Sequence, residues 1–203
     1  FTGVSDEGLA AADLDGDGRL ELVAGLYWYR LLPGGRWEGH LYTQEFESPP
    51  RVAAADLDGD GRAEIVLCET DGSFKGKTYG RLALLKARQN PEELWEAQVL
   101  HDRLLDPHSL QLADFDGDGL LDIYVGDMGL GDWLHPHPPA QRIFLNRGGR
   151  MEERVIDSGV GTHEAQVIEL DGRVGVVGKP FRSLDMDAPR PHGVDQVHLW
   201  LPG

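Results

Sequence analysis

Asp13-Leu14-Asp15-Gly16-Asp17-Gly18-Arg19-Leu20-Glu21 places carboxylates at positions 1, 3, 5 and 9 of a nine-residue loop, with glycines at positions 4 and 6. A hard cation such as calcium takes roughly six to eight oxygen ligands, and alternating acids on a tight loop supply them. Glycine allows the sharp turn because it enters left-handed conformations at little cost. The main-chain oxygen at position 7 adds one more donor. The same loop returns as Asp56, Asp58, Asp60 and Glu64, with Arg62 at position 7. It returns again as Asp114, Asp116, Asp118 and Asp122, with Leu120 at position 7. A single copy has a plainer alternative as a solvated acidic turn. Three copies at matched positions predict three calcium ions, held by Asp13, Asp15, Asp17, Arg19 and Glu21 and by their counterparts.

The flanks decide which kind of calcium loop this is. An EF-hand needs flanking helices and a glutamate at about position 12, where this chain has Ala24, Leu67 and Val125. Leu9–Ala12, Val52–Ala55 and Leu110–Ala113 precede the loops, and Leu22–Ala24, Ile65–Leu67 and Ile123–Val125 follow them. Short apolar runs bounded by Gly and Asp predict buried strands, so each loop is the turn of a β-hairpin.

The loop starts lie 43 and then 58 residues apart, and a decayed copy begins 55 residues further on at Glu169-Leu170-Asp171-Gly172. Arg173 follows at once, so that copy lacks its later acids and is not expected to bind calcium. Third strands are predicted at Leu26–Tyr29, Leu82–Leu85, Ile143–Leu145 and Val197–Trp200. Fourth strands open at Trp37, Trp95 and Met151, and the last unit shows none. Four strands per unit of this length is the pattern of propeller blades. The fold class is therefore all-β: a β-propeller of four blade units at about 4–46, 50–102, 107–158 and 162–203. The ragged ends predict part of a larger ring of about seven blades. The missing blades would come from the parent chain or another subunit.

The net charge of −16 over 203 residues argues against nucleic acid or an anionic membrane as partner. No run long enough to form a membrane-spanning helix occurs, so membrane insertion is not expected. The single cysteine, Cys68, reads as a core residue, so disulfides play no part. The chain begins at Phe1 without signal-peptide features and reads as a mature or excised piece. Calcium loops without sensor features favour an extracellular or periplasmic setting.

The motif Ala-Asp-Leu-Asp-Gly-Asp-Gly followed by an acid and an apolar strand resembles the FG-GAP or VCBS repeat, the calcium-binding blade of integrin α-subunit propellers and many secreted bacterial proteins. Leu26–Tyr29, His108-Ser109-Leu110, Gly161–Ala165 and Val177–Phe181 resemble a bacterial and fungal subgroup that includes the propeller of aldos-2-ulose dehydratase. The resemblance implies structural calcium and, at the subgroup level, a sugar-processing lyase or dehydratase.

Strand order sorts the connections into two ends. The acidic loops mark one, and the long inserts Glu69–Gly80, Gly126–Gln141 and Phe181–Gln196 mark the other. His101, His108 and His163 fall in links on that second end, and His135, His137 and His192 in inserts. His108 and His163 each stand six residues before the first acid of their loop, at the entry of neighbouring innermost strands. A convergent imidazole pair can hold zinc or another divalent metal, or act as acid and base, with Lys179 stabilising an enolate. Solvated loop histidines are the plainer reading. Glu164, Asp127 and Arg182 are candidate neighbours, and Trp133 could stack on a sugar.

Two functions follow: a secreted module binding carbohydrate or protein opposite the calcium loops, or a sugar lyase with His108, His163 and Lys179 at its channel. Elemental analysis of the purified protein should return three calcium ions per chain. Metal held by the Glu169–Asp171 copy in place of the other three would overturn the loop assignment.

Overall fold

A computed structural model describes residues 7–47, 49–72, 75–129, 137–181 and 197–201. The chain divides into two compact units, residues 1–70 with 81–102 and residues 71–80 with 103–203. All regular elements among the described residues are strands.

The first unit holds two four-stranded antiparallel sheets in simple up-and-down order. One is β1 (Leu9–Ala12), β2 (Glu21–Ala24), β3 (Tyr27–Leu32) and β4 (Arg36–Leu41). The other is β5 (Pro50–Ala55), β6 (Glu64–Glu69), β7 (Gly80–Lys86) and β8 (Glu96–Leu104). The innermost strands β1 and β5 are alanine-rich and pack side by side. Their approach is close: a Cβ on Gly8 would lie 2.6 Å from the Val52 amide nitrogen. Leu14, Val23, Trp28, Ile65, Leu67 and Leu85 form the buried core of this unit. Trp28 and Trp95 both donate their indole N–H to Pro91 O, at 3.3 and 2.9 Å. Buried indoles need such an acceptor, so the tryptophans serve packing. The Pro91–Leu94 stretch that supplies this acceptor is a turn.

The second unit holds the four-stranded sheet β9 (Pro107–Ala113), β10 (Asp122–Asp127), β11 (Ala140–Asn146), β12 (Met151–Ser158). Beside it lies the three-stranded sheet β13 (Thr162–Leu170), β14 (Arg173–Pro180), β15 (His198–Trp200). Three blade units are thus complete, and the last has three strands among the described residues, as its sequence leads one to expect. Strands β9 and β13 pack together, and Gln111 Nε2 donates to Ala165 O at 3.1 Å between them. Phe115, Tyr124, Ile143, Leu145, Val176 and Trp200 make the core.

At the end opposite the acidic loops, two sheets carry the same clamp. The last residue of β6, Glu69, receives Arg81 Nε at 2.8 Å and the Glu47 amide at 3.2 Å. The last residue of β10, Asp127, receives Arg142 Nη1 at 2.8 Å and the Leu105 and Ala140 amides at 3.0 Å each. Each acid therefore ties the incoming link to its own sheet. Asp127 is fully buried, so it is not an accessible neighbour of the histidines as the sequence allows. Burial pushes its carboxyl upward, against the pull of the Arg142 guanidinium. His101 also departs from expectation, since β8 extends through it to Leu104.

Removing one partner of a buried pair leaves an uncompensated charge, which costs about 3–5 kcal/mol. Arg142→Met should therefore lower unfolding free energy by about that much in urea titration, and Arg142→Lys by less. A loss under about 1 kcal/mol would show that the clamp does not hold the link.

Candidate functional site

The three acidic loops have one geometry. Asp13 Oδ1 accepts from the Gly16 and Asp17 amides at 2.7 and 3.2 Å, and its Oδ2 accepts from the Gly18 amide at 2.8 Å. Asp56 receives the matching three amides at 2.7, 3.2 and 2.9 Å. Asp114 does so at 2.7, 3.2 and 2.9 Å. The position-5 acids Asp17, Asp60 and Asp118 accept from the amides of Arg19, Arg62 and Leu120 at 2.8, 2.9 and 2.9 Å. Wrapping an aspartate this way requires a left-handed backbone at both glycines: φ is 79° at Gly16 and 83° at Gly18. Space around Gly18 is open, so conformation alone demands glycine there.

Each loop is also rooted. Its second residue, Leu14, Leu57 or Phe115, is buried. The position-9 acid accepts that residue's amide: Glu21 from Leu14 at 2.9 Å, Glu64 from Leu57 at 2.8 Å and Asp122 from Phe115 at 2.8 Å. Carboxylate oxygens of Asp13, Asp15 and Asp17 lie within 4.8 Å of one another, as do those of Asp56, Asp58 and Glu64 and those of Asp114, Asp116 and Asp122. Three of the four acids of each loop gather in this way. The remaining acids, Glu21, Asp60 and Asp118, stand outside those triads.

The donor set fits calcium, because every side-chain ligand offered is a carboxylate oxygen. A second feature points the same way: in each repeat a basic side chain reaches the acids as a cation would. Arg30 meets Asp15 at 2.6 Å; Lys86 meets Asp58 and, at 2.9 Å, Asp60; Arg147 meets Asp116 and Asp118 at 2.6 and 2.7 Å. Bound calcium would supply charge neutralisation and rigidity here rather than reaction chemistry.

Residues 13–67 match the FG-GAP-like repeat family. That stretch runs from the first loop through the second, so the repeat assignment rests on loops 1 and 2 and their strands. No curated protein sequence matches the chain, and the match does not extend to the subgroup suggested by the histidine-bearing stretches. Among solved structures, an endo-arabinase from Bacteroides thetaiotaomicron is similar at 13% identity and a TM-score of 0.48, covering all of this chain and 79% of that one.

The histidine pair lies in the second unit. His108 and His163 stack with ring centroids 4.4 Å apart, and Phe181 continues the stack at 5.9 Å from His163. His163 is the extra residue of a bulge in β13. His108 is buried; its Nδ1 lies 3.2 Å from His163 O and its Nε2 lies 3.8 Å from Asp71 Oδ1. A carbonyl only accepts, so Nδ1 carries the hydrogen. Both nitrogens thus face protein, and the two rings meet by their faces. Lys179 engages Glu164 at 3.7 Å, both side chains largely exposed. A second stack, which the sequence reading missed, joins Tyr79 and His137 at 5.9 Å, with the Arg103 guanidinium 4.9 Å from the Tyr79 ring. Nothing in the sequence pairs residues from such different connections. Trp133, His135, Arg182 and His192 lie outside the described residues.

Burial holds the carboxyls of Glu21, Glu64 and Asp122 above their ordinary range. A folded-state pKa raised above the unfolded value gives stability that is full below the unfolded pKa and lost as pH rises through the folded one. The metal-free protein should therefore lose part of its stability on moving from acid toward neutral pH. In chelator at pH 7, Glu21→Gln keeps the Leu14 contact, sheds the buried charge and should raise the melting temperature. In calcium the same substitution should lower it relative to wild type. Equal shifts in both buffers would remove Glu21 from the metal site.

Proposed function

We propose that this protein is a calcium-stabilised blade module that acts outside the cell or in the periplasm. It would bind carbohydrate or a protein at the end of its sheets opposite the calcium loops. The observation that carries the calcium reading is one hydrogen-bonded acidic loop built three times, each with a basic side chain drawn to it. In this reading the ions are structural. Each neutralises carboxylates that otherwise repel one another at a hairpin turn, so the strands on either side stay paired.

The opposite end of the second unit supports the binding reading. Half-buried aromatic side chains gather there: Phe181 closes the stack on His163, and Tyr79 pairs with His137. Rings of this kind pack on sugars, and Arg103 beside Tyr79 offers hydrogen-bond donors. The lyase alternative, with zinc or another divalent ion, needs an imidazole nitrogen turned toward a substrate. His108 engages the His163 carbonyl through Nδ1 and turns Nε2 toward Asp71, and Lys179 is engaged with Glu164. Binding is therefore the preferred reading. Further blades, from the same parent chain or another subunit, would extend the surface.

A ligand bound only by the folded state stabilises it by about 2.7 kcal/mol per site at a hundredfold excess over Kd. Excess chelator should therefore lower the melting temperature by about 5 °C or more for each site emptied. Asp58→Ala should reproduce the loss of one. An unchanged melt would reduce the loops to ordinary acidic turns. For the other end, Tyr79→Ala and Phe181→Ala should weaken retention on oligosaccharide columns without altering calcium content. His108→Gln and His163→Gln test elimination activity separately: turnover by wild type, lost in both variants, would favour the lyase.

A further inference from the structure

The three basic side chains differ in how far they occupy their loops. Arg30 touches one loop acid, Asp15, and is otherwise held outside the loop, by Glu92 at 3.2 Å and over the Trp28 ring at 5.0 Å. Lys86 touches three acids of loop 2: Asp58, Asp60 at 2.9 Å and Glu64 at 3.5 Å. Arg147 bridges Asp116 and Asp118 of loop 3 and lies 3.8 Å from Glu152. All three come from the far end of the third strand: Arg30 within β3, Lys86 closing β7 and Arg147 directly after β11.

An ammonium carries three donors and no acceptor, and here it turns toward three of the four carboxylates that would ligate calcium in loop 2. Ammonium and calcium cannot share that position: both need the same oxygens, and they repel each other at such separation. We infer that Lys86 and Arg147 are internal cations that calcium must displace, so that loop 1 fills first and loops 2 and 3 fill at higher calcium. This rests on the calcium reading above and adds an order to it. Metal uptake in loops 2 and 3 becomes an exchange of one cation for another, which releases a basic side chain at the end of the third strand. Without metal, the same side chains offset the repulsion among the acids. The chain thereby keeps its hairpins at low calcium at the expense of affinity.

Calorimetric titration of the full chain with calcium chloride tests this, with single loops isolated by Asp→Asn at position 3 of the other two (Asp15, Asp58, Asp116). Loop 1 should bind about tenfold or more tightly than loop 2, the scale set by losing a few partly exposed ion contacts. Lys86→Met should tighten loop 2 about tenfold while lowering the melting temperature in chelator, and Lys86→Gln should do the same if Met perturbs the fold. Arg147→Met should act likewise on loop 3, whereas Arg30→Met should leave loop 1 nearly unchanged. If the Lys86 variants melt lower in chelator yet bind calcium no more tightly, Lys86 is a plain ion-pair partner and the inference falls. If wild type takes up no calcium in any loop, the calcium reading itself fails and this order goes with it.

Discussion

Packing carboxylates onto a hairpin turn is the constraint that shapes this chain. Each loop gathers three of its acids within 4.8 Å of one another, and that closeness is unfavourable unless positive charge offsets it. The chain answers with backbone amides turned inward around the first aspartate, two left-handed glycines, and a buried second residue that roots the turn. The strands are then left to apolar burial. Residues such as Val23, Ile65 and Ile123 sit at zero exposure directly after the loops, so loop geometry and core packing are joined within a few residues of sequence.

The two ends of the sheets follow different physics. At the loop end, the amide-to-carboxylate bonds that shape each acidic turn are local, spanning seven residues or fewer. At the other end they reach far along the chain, as in Asp127 with Leu105 and Arg142, or His108 with His163. Local bonds make a unit that can be repeated with little change. Distant bonds make each unit particular, and the aromatic stacks lie among them.

This division explains what could be read from sequence. The acidic loops and the strand order were legible because each rests on short-range pattern. Spacing also placed His108 and His163 on neighbouring innermost strands. Spacing could not show that the rings meet face to face, because a bulge at His163 sets that orientation. Nor could it show that Asp127 is buried against Arg142, since an acid at a strand end reads as a surface residue until its partner is found. Strand β8 ran past His101 because paired strands extend as far as backbone partners allow, which hydrophobic pattern does not mark. The Tyr79/His137 stack joins two inserts with no shared signature.

Connection lengths carry a consequence for how such a chain can change over generations. In the three units that keep the full acidic loop, the turn between first and second strands is eight residues each time: 13–20, 56–63 and 114–121. Between second and third strands it runs from two residues (25–26) to ten (70–79) and twelve (128–139). Lengthening a surface connection adds little entropic cost, whereas one residue more or less in the acidic turn would misplace its carboxylates and the amides that hold them. Insertions and deletions are therefore tolerated at one end of the sheets and purged at the other. New loops can be grafted, by evolution or by an engineer, onto the permissive end while the acidic hairpins beneath stay the same.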